Sequence, residues 1–211
     1  SAAIKTYTAT WEQDAGGWGE RAAARLQKLS YPLPDLSTNE GLLSAKRRAN
    51  TLTSANEHTR AAALLKKLGT EDTAKTPARH GLALARAQAA AKSYPDAIAT
   101  YKSVLGSHEQ AKGSPNDLFA YALTTARTGD YTRSTMVYSA VIDQHPTHSK
   151  AHFAQYKIGY MAYDEARYDD AITGLKLYLR KHPQGKHAAE ARWFSGRSAM
   201  LLDRYDLALE L

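Results

Sequence analysis

The 211-residue sequence contains no cysteine, which excludes disulfide bonds and thiolate metal sites. It also has no apolar stretch near the roughly 20 residues that a membrane-spanning helix needs. The opening SAAIKTYTAT lacks the basic region and apolar core of a signal peptide. Only seven prolines and thirteen glycines interrupt the chain, and no run of alternating β-branched residues predicts a strand. These absences predict an all-α protein without a membrane span.

Charge is the next feature, with a net value of +7 and a pI of about 9.5. The basic residues are scattered, with clusters only at Lys46-Arg47-Arg48 and Arg180-Lys181-His182. Nucleic-acid-binding proteins concentrate their charge on one face. We therefore interpret these residues as solvated helix surfaces and expect no nucleic-acid partner, although an anionic polymer is left open.

A repeat of 37 residues runs through the second half of the chain. Four tyrosines at this spacing are each predicted to begin a helix: Tyr94, Tyr131, Tyr168 and Tyr205. Small residues lie nine positions before them, at Ala85, Ala122, Gly159 and Gly196. Large residues lie twelve positions before them, at Leu82, Phe119, Tyr156 and Trp193. We expect the small residues to let paired helices cross closely, and Tyr156 and Trp193 to pack between hairpins.

The repeat divides the chain into two regions. Residues 76–211 are predicted to form four helical hairpins, at about 78–111, 115–147, 151–184 and a shortened 188–211. Residues 1–75 are helical in pattern but irregular, with a break at Tyr31-Pro32-Leu33-Pro34 because each proline restricts the residue before it. The pattern stops at Leu211 inside an amphipathic stretch, so we expect the natural protein to be longer.

The hairpins resemble tetratricopeptide (TPR) repeats. The small residue, alanine and proline of that signature have counterparts at Gly159, Ala171 and Pro183, each twelve residues apart. The period here is 37 rather than the usual ~34 residues. The resemblance implies a right-handed α-superhelix of TPR-like hairpins. It implies little about function, because such repeats are scaffolds in many systems.

A narrower resemblance concerns the last hairpins. The run Ala191-Arg192-Trp193, followed by Gly196 and then by Arg204-Tyr205 and Ala208, is similar to the superhelical, non-catalytic region of bacterial soluble lytic transglycosylases. The resemblance implies a periplasmic setting and a separate lysozyme-like domain that cleaves peptidoglycan. That domain would need a glutamate followed by serine, and this dipeptide does not occur here. We therefore predict no catalytic residue in this chain.

No metal, cofactor or nucleotide site is predicted either. His145, His148 and His152 fall close together, but no carboxylate or cysteine completes a zinc set, so we expect a turn with solvated imidazoles. Asp169 and Asp170 are explained by the dipole at a helix N-terminus. Gly185-Lys186 is followed by histidine and does not form a phosphate-binding loop.

The candidate binding residues lie where TPR arrays line their concave face, one and four positions after the small residue. They include Tyr160 and Tyr163 in one unit and Arg197 with Met200 in the next. Arg86 and Arg127 lie at or beside the same positions earlier in the chain. Tyrosine and arginine suit peptide or glycan recognition. Alternatively, the two tyrosines pack between hairpins.

These observations support two main hypotheses. The first is the non-catalytic helical region of a periplasmic lytic transglycosylase, which would bind or position peptidoglycan or a protein partner. The alternative is a non-enzymatic TPR scaffold of the bacterial envelope, of the outer-membrane assembly or Tol-Pal associated type. A cytoplasmic peptide-binding adaptor is a third hypothesis.

Overall fold

A computed structural model describes residues 2–29, 38–71 and 77–210, and within these ranges the chain forms α-helices joined by turns, without a strand. The predicted all-α class is confirmed. The helices are α1 (Ala2–Gln13), α2 (Gly17–Lys28), α3 (Asn39–Ser54), α4 (His58–Glu71), α5 (Pro77–Ala90), α6 (Tyr94–Leu105), α7 (Pro115–Ala126), α8 (Tyr131–Gln144), α9 (Ser149–Asp164), α10 (Tyr168–Lys181), α11 (Ala188–Leu201) and α12 (Tyr205–Glu210).

The chain forms two compact units, Ser1–Val104 and Leu105–Leu211. We call them unit 1 and unit 2. The boundary between them falls inside the first predicted repeat. The predicted break at residues 31–34 lies outside the described residues.

In unit 1, the core joins α1 to α3 and α4. It contains the buried Trp11, Leu52, Leu65 and several alanines. A polar network borders this core: Glu12 accepts hydrogen bonds from Ser44 Oγ at 2.5 Å and from Arg47 Nε at 2.7 Å. Buried polar groups are tolerated when they are paired in this way.

Arg48, in the same unit, is 2% exposed. Its guanidinium donates to the carbonyl of Asp14 and, at 3.1 Å, to the carboxylate of Glu20. These bonds fix the turn between α1 and α2 against α3. The cation is thus paired despite its burial.

In unit 2, local signals set where the helices begin. Pro115 is at the first position of α7, where its missing N–H costs nothing, and Ser114 caps the helix by accepting from the Asp117 amide at 3.2 Å. Asp130 caps α8 by accepting from Arg133 N at 3.1 Å. The predicted starts at the four tyrosines are confirmed at α6, α8, α10 and α12.

Small residues let the paired helices of unit 2 approach closely. Gly159 of α9 lies against Gly174 and Leu175 of α10. In the preceding hairpin the buried Ser134 replaces the usual alanine, and its hydroxyl donates to the carbonyl of Ala122 at 2.8 Å. The predicted role of the small residues as crossing points is therefore confirmed for α7–α8 and α9–α10.

A left-handed residue precedes each of five helices that complete a hairpin. Four of these residues have φ between 56° and 62°, namely Asn56, Lys92, Ala166 and Asp203. Gly129 occupies the corresponding position with φ of 81°. At the third of them, Ala166 N–H donates to Tyr163 O at 3.0 Å and Arg167 N–H to Ala162 O at 2.9 Å, which is the Schellman pattern. Asn56 shows that the α3–α4 hairpin uses the same turn as the four registered repeats.

Two expectations about side chains were wrong. Trp193 is 60% exposed, although it contacts Phe194 with ring centroids 4.8 Å apart. Its counterpart Tyr156 is buried because His187 of the following hairpin stacks on it at 4.7 Å, whereas no later hairpin is described beyond α12. The three histidines are half-buried rather than solvated. His145 Nε2 lies 2.8 Å from Gly113 O, His148 accepts from Lys150 N at 3.1 Å, and the His152 ring centroid lies 3.9 Å from that of His182.

Candidate functional site

A cleft of about 580 Å³ lies in unit 2 between the end of α7, the start and middle of α8 and the second half of α9. We call it the α9 cleft. Its charged and aromatic lining residues are Arg127, Tyr131, Tyr138, Lys157, Tyr160 and Asp164. A volume of this size suits a few side chains of a bound ligand.

Lys157 is the central cation of the α9 cleft. Its Nζ lies 5.0 Å from the ring centroid of Tyr160, 5.5 Å from that of Phe153 and 6.0 Å from that of Tyr156. Phe153 and Tyr160 lie one helical turn before and after the lysine on its face of α9, and Tyr156 is its neighbour in sequence. Burial lowers the pKa of Lys157 below its usual range, and the rings compensate part of the lost hydration.

Two tyrosine hydroxyls complete the lining. Burial raises the pKa of Tyr160, and the carboxylate of Asp164 raises it further. Tyr138 is fully buried, and its hydroxyl has no hydrogen-bond partner among the described residues. Burial raises the pKa of this phenol as well, so both hydroxyls remain protonated donors at neutral pH.

The structure brings two of the predicted residues together, since Arg127 and Tyr160 both line the α9 cleft. Tyr163 instead packs against Phe194, with centroids 4.9 Å apart. Tyr160 makes a similar contact with Phe194 at 4.9 Å, so it belongs both to the cleft and to the packing between hairpins.

The other two predicted residues are exposed. Arg197 lies on α11, outside the lining of the cleft, and Arg86 lies on α5 in unit 1. A binding role for any of the five residues stays a prediction.

Sequence reasoning missed Lys157 and Asp164. The signal for Lys157 was present, because Phe153 lies four residues before it and Tyr160 three residues after it, which places both rings on its face of a helix. Asp164 is the last residue of α9, and its place beside the cleft follows from this helix end, which the repeat pattern did not fix.

Two further observations concern metal binding and membrane-spanning helices. Across the described ranges, no three histidine, aspartate or glutamate side chains are grouped so that they could hold a metal ion. None of the described helices is both long and apolar enough to cross a membrane.

The family model described as "YfiO: Outer membrane lipoprotein" matches residues 110–207, slightly less than half of the chain. No curated protein matches.

Several solved structures similar to this chain are described as TPR proteins. YrrB, "a TPR protein with an unusual peptide-binding site", is 14% identical with a TM-score of 0.61, over 89% of this chain and 87% of that one. The chain is a TPR-like helical repeat array. A TPR protein from Parabacteroides merdae is 9% identical with a TM-score of 0.62, over 100% and 77% of the two chains. MamA AMB-1 is 16% identical with a TM-score of 0.64, over 82% and 88%.

At these identities the TPR-like likeness concerns the fold alone. It confirms the resemblance on which the repeat assignment was based. The right-handed superhelical course of the array stays a prediction.

Proposed function

We propose that this chain is a non-enzymatic TPR scaffold of the bacterial envelope, and that unit 2 binds a peptide segment of a partner protein in the α9 cleft. The observation that carries the proposal is Lys157, half-buried beside three aromatic rings at the wall of an open cleft. Arg127 adds a second cation to the same lining. Such a surface offers both charge and apolar area to a ligand.

The chemistry of the cleft indicates an extended segment that combines a carboxylate with an apolar side chain. Arg127 and Lys157 outnumber the single acid, Asp164, so the lining favours a negative group. The rings of Tyr131 and Tyr160 provide flat contact area at low entropic cost.

The envelope setting is supported by the outer membrane lipoprotein family, whose model matches residues 110–207. The peptide-binding role is in keeping with YrrB, which is described as having a peptide-binding site. These likenesses favour an assembly-type scaffold over the peptidoglycan hypothesis. They do not bear on a lysozyme-like domain, so the transglycosylase setting stays a prediction.

A selection from a random peptide library displayed on phage, with the 211-residue chain immobilised, tests the proposal. We expect peptides that contain acidic and aromatic residues to be enriched and to bind with micromolar Kd. Tyr160→Ala and Arg127→Gln should each weaken the selected peptides by about tenfold. Tyr160→Phe should retain most of the affinity, because it keeps the ring that contacts Phe194.

Lys176→Gln is the matched control, since Lys176 is an exposed lysine of α10 outside the cleft. Circular dichroism of each variant verifies folding. Equal losses in Lys176→Gln and Arg127→Gln, or a lack of any enriched sequence, would contradict the proposed cleft. Co-sedimentation with peptidoglycan sacculi that Arg127→Gln abolishes would support the peptidoglycan hypothesis instead.

A further inference from the structure

A second cavity in unit 2 has a different chemistry from the α9 cleft. It has a volume of about 350 Å³ and lies between the start of α9, the end of α10 and the turn that leads into α11. We call it the histidine pocket. Its basic lining residues are Lys150, His152, His182, Lys186 and His187, and none of them lines the α9 cleft.

Positive charge dominates the histidine pocket. Its remaining lining consists of Ser149, Phe153, Tyr178 and Gly185, so no carboxylate belongs to it. Glu190 of α11 does not line the pocket, and its carboxylate lies 2.6 Å from His187 Nδ1. Lys150 and Lys186 therefore give the pocket two positive charges, and each further histidine that takes up a proton adds one.

The arrangement of the imidazoles argues against a metal site. The rings of His152 and His182 contact each other at a tilt, with centroids 3.9 Å apart and planes 34° from parallel. The lone pair of an imidazole lies in its ring plane, so two rings in contact through their faces at this distance do not converge on one ion. His187 is also stacked, 4.4 Å from Phe153 with planes 8° apart. Stacked rings present N–H donors at their edges.

The backbone adds to the positive potential. Helix α9 begins at Ser149 and helix α11 at Ala188, and the residues at or just before both starts line the pocket. The first turn of a helix carries partial positive charge. Two helix starts and five basic side chains thus face one cavity.

The lowered pKa of His182 reflects both its burial and this surplus of positive charge around it. Burial lowers its pKa, and the neighbouring His152 and Lys181 lower it further. Lys150 and Lys186 line the same cavity, and Glu190 is occupied by His187. A negatively charged ligand would raise the pKa of His182, which is opposite to the effect of these cations.

We propose that the histidine pocket binds an oxyanion, the phosphate or carboxylate group of a ligand, through Lys150, Lys186 and the edges of His152 and His182. The rings of Phe153 and Tyr178 offer an apolar surface to the rest of such a ligand. The pocket shares no lining residue with the α9 cleft, but Phe153 links the two sites, because its ring also lies 5.5 Å from Lys157 Nζ.

The test is isothermal titration of the 211-residue chain with sulfate at constant ionic strength in chloride. Sulfate keeps its charge between pH 5.5 and pH 8, so a change in affinity reports the protein. We expect the affinity to rise as pH falls, because protonated His182 adds a positive charge. Lys186→Gln should weaken sulfate binding about five- to tenfold, and His182→Phe, which preserves an aromatic ring, should reduce the rise in affinity at low pH.

Lys176→Gln is the control for lost charge, since this exposed lysine of α10 does not line the pocket. Phosphate and malonate, titrated at the same pH, distinguish the two sources of the oxyanion by their relative affinities. The proposal is overturned by an absence of sulfate binding at pH 5.5, by equal weakening in Lys176→Gln and Lys186→Gln, or by zinc binding that competes with sulfate.

Discussion

Gly159 of α9 lies so close to Leu175 of α10 that a methyl group on the glycine would come within 2.8 Å of Leu175 Cγ and 2.9 Å of its backbone nitrogen. The backbone atom cannot move aside as a flexible side chain could. The pair therefore fixes the distance between the two helices of the third repeat.

Replacing this glycine tests the crossing. We expect Gly159→Ala to destabilise unit 2 by about 1–3 kcal/mol, because overpacking outweighs the better helix propensity of alanine. Urea denaturation and hydrogen exchange of α9 peptides would measure the loss.

Gly196 provides the control, since it occupies the same repeat position but its added methyl group would meet only Ala208 O, at 3.6 Å. Gly196→Ala should be neutral or stabilising by up to about 1 kcal/mol. Equal destabilisation by both substitutions would contradict the proposed role of the Gly159 contact.

The left-handed turn residue Ala166 offers a stabilising change. A residue with a Cβ atom is strained at the φ of 56° that Ala166 adopts. We expect Ala166→Gly to raise the free energy of unfolding by about 0.5–1 kcal/mol. Ala63→Gly, on an exposed position inside α4, should have the opposite effect, a loss of about 1 kcal/mol. Thermal denaturation of both variants would show whether the signs differ as expected.

Glu12 makes the stability of unit 1 depend on pH. Its hydrogen bond with Arg47 lowers its pKa, as does the bond from Ser44, while burial opposes them. Because the folded-state pKa lies below the ordinary value of 4.5, the stabilisation is complete above that value and is lost as pH falls through the lowered pKa.

We therefore expect Glu12→Gln to destabilise unit 1 by about 1–3 kcal/mol relative to the unmodified chain at pH 7. At pH 3 we expect a smaller difference in stability between the two chains. Hydrogen exchange of α1 and α3 peptides at the two pH values is the measurement. Glu109→Gln, an exposed substitution in unit 2, is the control and should leave these peptides unchanged. If Glu12→Gln destabilised unit 1 as much at pH 3 as at pH 7, the pH-dependent stabilisation assigned to Glu12 would be contradicted.

The starts of the repeat helices were predictable from sequence because tyrosine, alanine and proline recur at a fixed interval. The turn geometry was not, since Lys92, Ala166 and Asp203 share a conformation but no chemical property. Backbone hydrogen bonds impose that conformation, and side-chain patterns do not record it. The helical pattern of residues 39–52 and 56–68 predicts the hairpin that α3 and α4 form, but it does not reveal that this hairpin uses the common turn.

The candidate sites were predictable only in part. Tyr160 and Arg127 followed from their repeat positions, and both line the α9 cleft. Trp193 was misassigned because its position is buried only where a further hairpin covers it. The histidine pocket combines His152 with His182, thirty residues later, and no local spacing could reveal that contact.

In unit 2 the main packing partners of each described helix lie within two helices of it along the chain. Such packing has low contact order, so each hairpin can form soon after its residues meet, without a search for distant partners. Stretched between its ends, unit 2 should lengthen in a series of small steps rather than rupture at once, each step releasing one hairpin from its neighbour. A partner that binds two neighbouring hairpins at once would hold them together and raise the force at which they separate.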